Sequence, residues 1–176
     1  MRPLDAATLL VIDRSSATPS VLMGKRHRSL AFMPGKFVFP GGRADPADRK
    51  IGAASDLTAP DMEKLLLGMG ARRSVNRARA LGLCAIRETF EETGLRVALP
   101  AATKVKPLDH AEWHAFVSAG GLPALGHLRY IARAVTPPGG VRRFDTRFFT
   151  LFRDSVPGLD AQALMPSGEL EDIQWV

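Results

Sequence analysis

The segment from Ser74 to Thr93 constrains this chain more than any other. Leu83, Ile86 and Phe90 recur at spacings of three and four, so they share one side of an α-helix. Glu88, Glu91 and Glu92 repeat those spacings elsewhere on the helix surface. Gly94 stands where a helix ends in a left-handed residue, and Leu95 follows as its apolar contact. Such a helix must bury one face and relieve repulsion on another. A glutamate-rich face is most often simply solvated. Three crowded carboxylates become favourable when a divalent cation sits among them, because Mg²⁺ prefers oxygen ligands. Arg87, next to Glu88 and four residues before Glu91, is spaced to fix a carboxylate in one rotamer.

The surrounding pattern gives that helix a sheet to pack on. Ala7–Asp13 reads as a buried strand, and Val21–Arg26 as its hairpin partner across the polar turn Arg14–Ser20. Phe37–Phe39 reads as a short strand stopped by Pro40-Gly41-Gly42, and Arg43–Ser55 as loop. Thr58–Met69 predicts an amphipathic helix capped by Thr58, with Met62, Leu65, Leu66 and Met69 on one stripe and Gly70 as its end. Asp109–Ala119 predicts another, with Asp109 and Glu112 at capping-box spacing and Gly120-Gly121 as terminator. Leu128–Val135 and Phe144–Phe152 predict two longer strands joined by Pro137-Pro138-Gly139-Gly140, and Leu170–Val176 a last strand. Irregular alternation of strands and helices favours an α/β sandwich with a mixed sheet, in one domain over 1–176. No helix follows the last strand, which suggests a C-terminal helix beyond Val176.

Composition narrows the partners. No run of about 18 apolar residues is present, so no membrane span is expected. The single cysteine, Cys84, excludes an internal disulfide framework and fits a reducing, cytoplasmic setting. The net charge of +6 suits nucleic acid or an anionic small substrate. The basic residues are scattered, and no aromatic base-stacking spacing accompanies them, which disfavours nucleic acid. His27, His110, His114 and His127 lack metal-ligand spacing.

The residues Arg87-Glu88-Thr89-Phe90-Glu91-Glu92-Thr93-Gly94-Leu95 closely resemble the core of the Nudix box, with Thr89 where an apolar residue is usual. Phe39-Pro40-Gly41-Gly42 resembles the start of that box. Six residues after Gly42, where the pattern has glutamate, stands Asp48. The pattern then has seven residues before its arginine, whereas Arg49–Ile86 is 38 residues here, an insertion of about 31. The insertion occupies about residues 49–78. With Arg143–Phe149 it resembles a subgroup similar to coenzyme A diphosphatases; Lys25–Gly35 is only loosely similar to that branch's coenzyme A signature.

The resemblance implies a Nudix-type α/β/α sandwich with an inserted helix. It implies Mg²⁺- or Mn²⁺-dependent hydrolysis of a diphosphate bond in a nucleoside diphosphate derivative, with coenzyme A or acyl-coenzyme A as first candidate. Glu88, Glu91, Glu92 and the Gly42 carbonyl would be metal ligands. Glu88 would alternatively act as general base, Arg87 would orient the glutamates, and Asp48 would be the box's first acid. Arg26, Arg28, Arg142 and Arg143 are candidate phosphate clamps, since guanidinium meets phosphate as a fork. Glu169 is a candidate additional acid. A homodimer is a further expectation. The competing reading is a non-catalytic Nudix-fold nucleotide-binding or regulatory module; retention of all three glutamates argues against it.

Overall fold

Strand β1 (Leu4–Asp13) runs through the middle of the molecule because every second residue is apolar and small enough to pack beneath a helix. Ala7, Leu9 and Val11 are fully buried. In this computed structural model, which describes residues 2–29, 34–101, 109–139 and 142–176, β1 pairs with three strands. Strand β2 (Ser20–Arg26) is its antiparallel hairpin partner. Strand β4 (Gly41–Arg43) is antiparallel on the same edge, and β8 (Phe144–Phe152) runs parallel on the other, from Leu4 opposite Phe144 to Ile12 opposite Phe152. Strand β7 (Arg129–Val135) completes that side, antiparallel to β8. Strands β3 (Phe37–Val38) and β9 (Leu170–Trp175) both pair antiparallel with β2. Short strands β5 (Ala98–Leu99) and β6 (Leu122–Pro123) form a separate pair. The sheet is therefore mixed and the class α/β, as the alternation of elements predicts.

Helix α2 (Val75–Thr93) lies over β1, β4 and β8. Ser74 caps it by accepting from Arg77 N–H, and Gly94 ends it at φ 77° as its place after Thr93 predicts. Leu81, Leu83, Cys84 and Ile86 are buried in the core. Helices α1 (Ala59–Leu67) and α3 (Ala111–Ser118) both pack on α2.

The inserted residues join this core. Ile51, Leu57 and Leu65 are buried in it, and α1 also touches β7. Thr58 caps α1 as expected. Buried Asp61 accepts a 3.0 Å hydrogen bond from Tyr130 N–H, which ties α1 to β7.

Several expectations need correction. Strand β3 does end before Pro40-Gly41-Gly42, one residue short of Phe39, but the glycine pair has a second role. It begins β4, with Ala7 opposite Gly42, because a Cβ on Gly41 would stand 2.6 Å from the Ala7 carbonyl oxygen and only glycine allows the approach. The supposed loop Arg43–Ser55 contains a 3₁₀ turn over Pro46–Arg49, capped by Asp45. Helix α1 ends at Gly68, and Gly70, at φ 55°, opens a further 3₁₀ turn. Helix α3 is capped by His110, whose Nδ1 accepts from Trp113 N–H; the box predicted from Asp109 to Glu112 is displaced by one residue. Residues 30–33 of the Lys25–Gly35 segment, and Gly140 of the expected turn, lie outside the described residues.

Candidate active site at the C-terminal end of α2

The last two turns of α2 face β4, so the acids and the two glycines meet. Gly41 N–H donates to Glu92 Oε2 at 2.9 Å. A Cβ on Gly42 would stand 2.5 Å from the Glu88 carboxylate, so glycine is what leaves room for that side chain. Arg87 is 5% exposed and distributes its guanidinium among four oxygen-bearing partners and, at 3.8 Å, Cys84 Sγ. Its Nε and Nη2 grip Asp48 at 2.8 and 3.1 Å, Nη1 lies 2.9 Å from both Glu88 and Glu91, and Nη2 also donates to the Arg43 carbonyl at 3.0 Å. Asp48 is fully buried, and it is satisfied by Arg87, by Trp113 Nε1–H at 2.9 Å and by Asp45 N–H at 2.8 Å. The two halves of the motif, 39 positions apart at Asp48 and Arg87, are therefore adjacent in space.

Burial sets the acidity of the cluster. It pushes the Glu88 carboxyl up to about 7, with Arg87 opposing and Glu91 adding repulsion. It pushes Glu92 up to about 8, against the Gly41 hydrogen bond and with Glu88 and Glu169 adding repulsion. Glu91 is raised too, again by burial, while Arg87 holds it down. Burial disfavours the charged Arg87, but Asp48 and Glu88 outweigh that and raise it, so it stays cationic. Two buried carboxylates that hold protons near neutrality are groups a divalent cation would deprotonate and stabilise.

Among the described residues, no three acidic, histidine or cysteine side chains already surround one point as a metal cage. The reason is visible: Arg87 stands between Glu88 and Glu91, and Glu92 turns to the Gly41 amide. The donor set is nevertheless all oxygen, and it fits a hard cation. Glu88, Glu91 and Glu92 supply carboxylates, and the Gly42 carbonyl, 3.6 Å from Cys84 Sγ, supplies a neutral ligand.

Two cavities open on the cluster. One of about 430 Å³ is lined by Glu88, Glu91, Gly42, Arg26, Arg142 and Glu169, among others. The other, about 570 Å³, lies between Glu88, Glu91 and Glu92 on one side and α3 and the Met165–Ser167 segment on the other, again with Glu169. Of the four candidate arginines, Arg26 and Arg142 line the first cavity. Arg143 donates from Nε to the Thr136 carbonyl at 3.0 Å and does not line either cavity. Arg28 is exposed on the turn after β2. Sequence reasoning missed Trp113 as the anchor of Asp48: its place in an apolar stripe points to core, which it also is. It missed the Gly41 amide as the anchor of Glu92, for which no local signal exists.

No family model matches the chain. A Caenorhabditis elegans protein whose name places it among Nudix hydrolases is 25% identical over 175 residues, which are 94% of this chain and 49% of that protein; the chain thus spans about half the length of this curated relative. A solved MutT protein from Methanosarcina mazei shares the fold, with a TM-score of 0.51 at 13% identity over 99% of this chain and 78% of that one. The crystal structure of a Nudix hydrolase from Alicyclobacillus acidocaldarius matches with a TM-score of 0.70 and 30% identity, over 99% of this chain and 79% of that chain. With that degree of identity over that coverage, and with the split motif reunited at Asp48 and Arg87, the chain belongs to the Nudix hydrolase family.

Proposed function

We propose that this protein hydrolyses a diphosphate bond in a nucleoside diphosphate derivative in the presence of Mg²⁺ or Mn²⁺, with coenzyme A or acyl-coenzyme A as the first substrate to test. One observation carries the reading: Glu88, Glu91 and Glu92 meet beside Gly42 with the protons of Glu88 and Glu92 held to about 7 and about 8. A bound divalent ion in such a site neutralises diphosphate oxygens and lowers the pKa of water. Glu88, Glu91, Glu92 and the Gly42 carbonyl would hold it. As an alternative to binding the ion, Glu88 would accept the proton of the attacking water as the phosphorus–oxygen bond breaks. Arg87 would keep Glu88 and Glu91 in place, and Arg26 and Arg142 would face the substrate phosphates in the 430 Å³ cavity. A single buried thiol, Cys84, suits a reducing cytoplasm.

The test is a panel of coenzyme A, acyl-coenzyme A, NADH, ADP-ribose, UDP-glucose and diadenosine polyphosphates with Mg²⁺ and Mn²⁺, with products identified by mass. For coenzyme A the expected products are 3′,5′-ADP and phosphopantetheine. Glu91→Gln should lower turnover by orders of magnitude while the protein still melts as a folded domain. No turnover of any panel member overturns the proposal, and unchanged turnover in the variant overturns the metal assignment.

A further inference from the structure

The 570 Å³ cavity beside the glutamates does not end at α3. Phe90, Gly94 and Met165 also line a second hollow of about 750 Å³, so the two adjoin across Phe90 and Met165. The walls are largely apolar. Phe90 packs edge-on against Phe116, with ring centroids 5.3 Å apart, and Leu99 and Pro100 lie further along. Met165 is fixed rather than loose, because its N–H donates to the Thr93 carbonyl at 2.8 Å.

At the far side stands Arg96. Its backbone is clamped on both edges by Gln162, which accepts from Arg96 N–H at 2.7 Å and donates to the Arg96 carbonyl at 3.2 Å. Its guanidinium lies 5.8 Å from the Phe116 ring centroid and donates to the Phe116 carbonyl over a long 3.5 Å. Among the described residues it forms no ion pair. Burial alone acts on it, pulling its pKa down with no acid to offset the cost. A half-buried cation held in place without an anion, at the end of an apolar groove that begins at the hydrolytic acids, is complementary to a ligand with the opposite arrangement.

We propose that this groove binds the non-reacting arm of the substrate, and that Arg96 takes an anionic group at the end of that arm. The preferred substrate is thus a nucleoside diphosphate ester whose second substituent is an extended apolar chain ending in a carboxylate or phosphate. The inference rests on the diphosphatase reading for its direction along the groove, since the scissile diphosphate lies at Glu88 and Glu91.

Two synthetic probes separate the ideas: the hexyl ester of ADP and its ω-carboxyhexyl analogue. Binding of each is measured by calorimetry, and hydrolysis by product mass, for the wild type, Arg96→Ala and Met165→Glu. A charge-assisted hydrogen bond contributes about 1.5–3 kcal/mol, which is roughly a 10- to 100-fold preference for the carboxylated arm in the wild type. Arg96→Ala should remove that preference, with the carboxylated ester losing about 10- to 100-fold more affinity than the hexyl ester. Met165→Glu, at a residue 66% exposed and so harmless to folding, should penalise the carboxylated arm selectively. If the carboxylated ester shows no preference in binding, or Arg96→Ala weakens both probes alike, the inference is overturned. If binding behaves as expected but neither ester is cleaved, the groove assignment stands and the diphosphatase reading falls.

Discussion

Raising the pH of the metal-free protein should destabilise it, and Mg²⁺ should reverse the effect. Glu92 is 4% exposed, and burial lifts its carboxyl from 4.5 to about 8. Glu88 is lifted to about 7. A group whose folded pKa is raised contributes stability that is fully present below its unfolded value, here near 4.5, and that is lost as pH rises through the folded value. The window is therefore about pH 5 to 8.5. At about 1.4 kcal/mol per pH unit, the ceiling is about 5 kcal/mol from Glu92 and about 3 from Glu88. Each raises the other, so the two share one repulsion and do not add; a loss of about 3–5 kcal/mol across the window is expected. For a chain of this size that lowers Tm by roughly 10–15 °C. The assay is thermal and urea unfolding of chelator-treated protein from pH 5 to 8.5, with and without Mg²⁺. Glu92→Gln keeps an oxygen for the Gly41 amide but cannot ionise, so it should flatten the profile by about half and stabilise the metal-free protein at pH 8. His127, held low by burial, acts in the opposite direction, but it cancels when variant and wild type are subtracted. A difference curve that stays level between pH 5 and 8.5 refutes the assigned burial of charge.

Three substitutions probe the scaffold of the site. Asp48→Ala strands the buried Arg87 and Trp113 donors and should cost about 3–5 kcal/mol by urea denaturation, far more than an exposed acid would. Gly42→Ala drives a methyl into the Glu88 carboxylate; it should abolish most turnover in the panel assay while moving Tm by only a few degrees. Gly94→Ala forces an L-residue to φ 77° and sets its Cβ 2.9 Å from Met165 Cβ, for an expected cost of about 1–2 kcal/mol by the same denaturation.

What the sequence reveals and what it hides differ by range of interaction. Helix α2 is legible to within a residue because its limits are local: Ser74 supplies a cap and Gly94 a left-handed turn. Strands β1, β2, β7, β8 and β9 are legible because each carries an apolar run or a partial alternation next to polar or turn residues. Strand β4 is not, since Gly41-Gly42 looks like a turn until Ala7 is known to lie against it. Strands β5 and β6, two residues each, carry no periodicity at all. The helix α3 cap shows the limit of motif spacing, because Asp109 and His110 can both accept a hydrogen bond and only the rotation that buries Trp113 and Phe116 selects the second. The acids of the candidate site could be named from one nine-residue stretch. Two of their anchors could not, because the Gly41 amide and Trp113 reach Glu92 and Asp48 from distant positions.

The insertion explains how a motif can be split without being dismantled. Asp48 and Arg87 stand at its two ends and are joined by a bidentate ion pair, so the chain leaves the site and returns to the same place. Lengthening the connection from seven residues to the 38 of Arg49–Ile86 adds only about 1.5 kcal/mol of closure entropy, because that cost grows with the logarithm of length. Burial of Leu65 and Met69 alone offsets it, at about 1.5–3 kcal/mol for each side chain. The added residues are further tied down away from the acids, by Arg79 to Asp56 at 3.0 Å, by Arg133 to the Gly68 carbonyl at 2.9 Å and by Tyr130 N–H to Asp61. They therefore stabilise the N-terminal half of α2 and the β7 edge of the sheet, while the carboxylates at the other end of α2 depend on Gly41, Gly42 and Asp48. The insertion is thereby anchored at the end of α2 opposite the acids, which is why one of this size can sit inside the motif beside them.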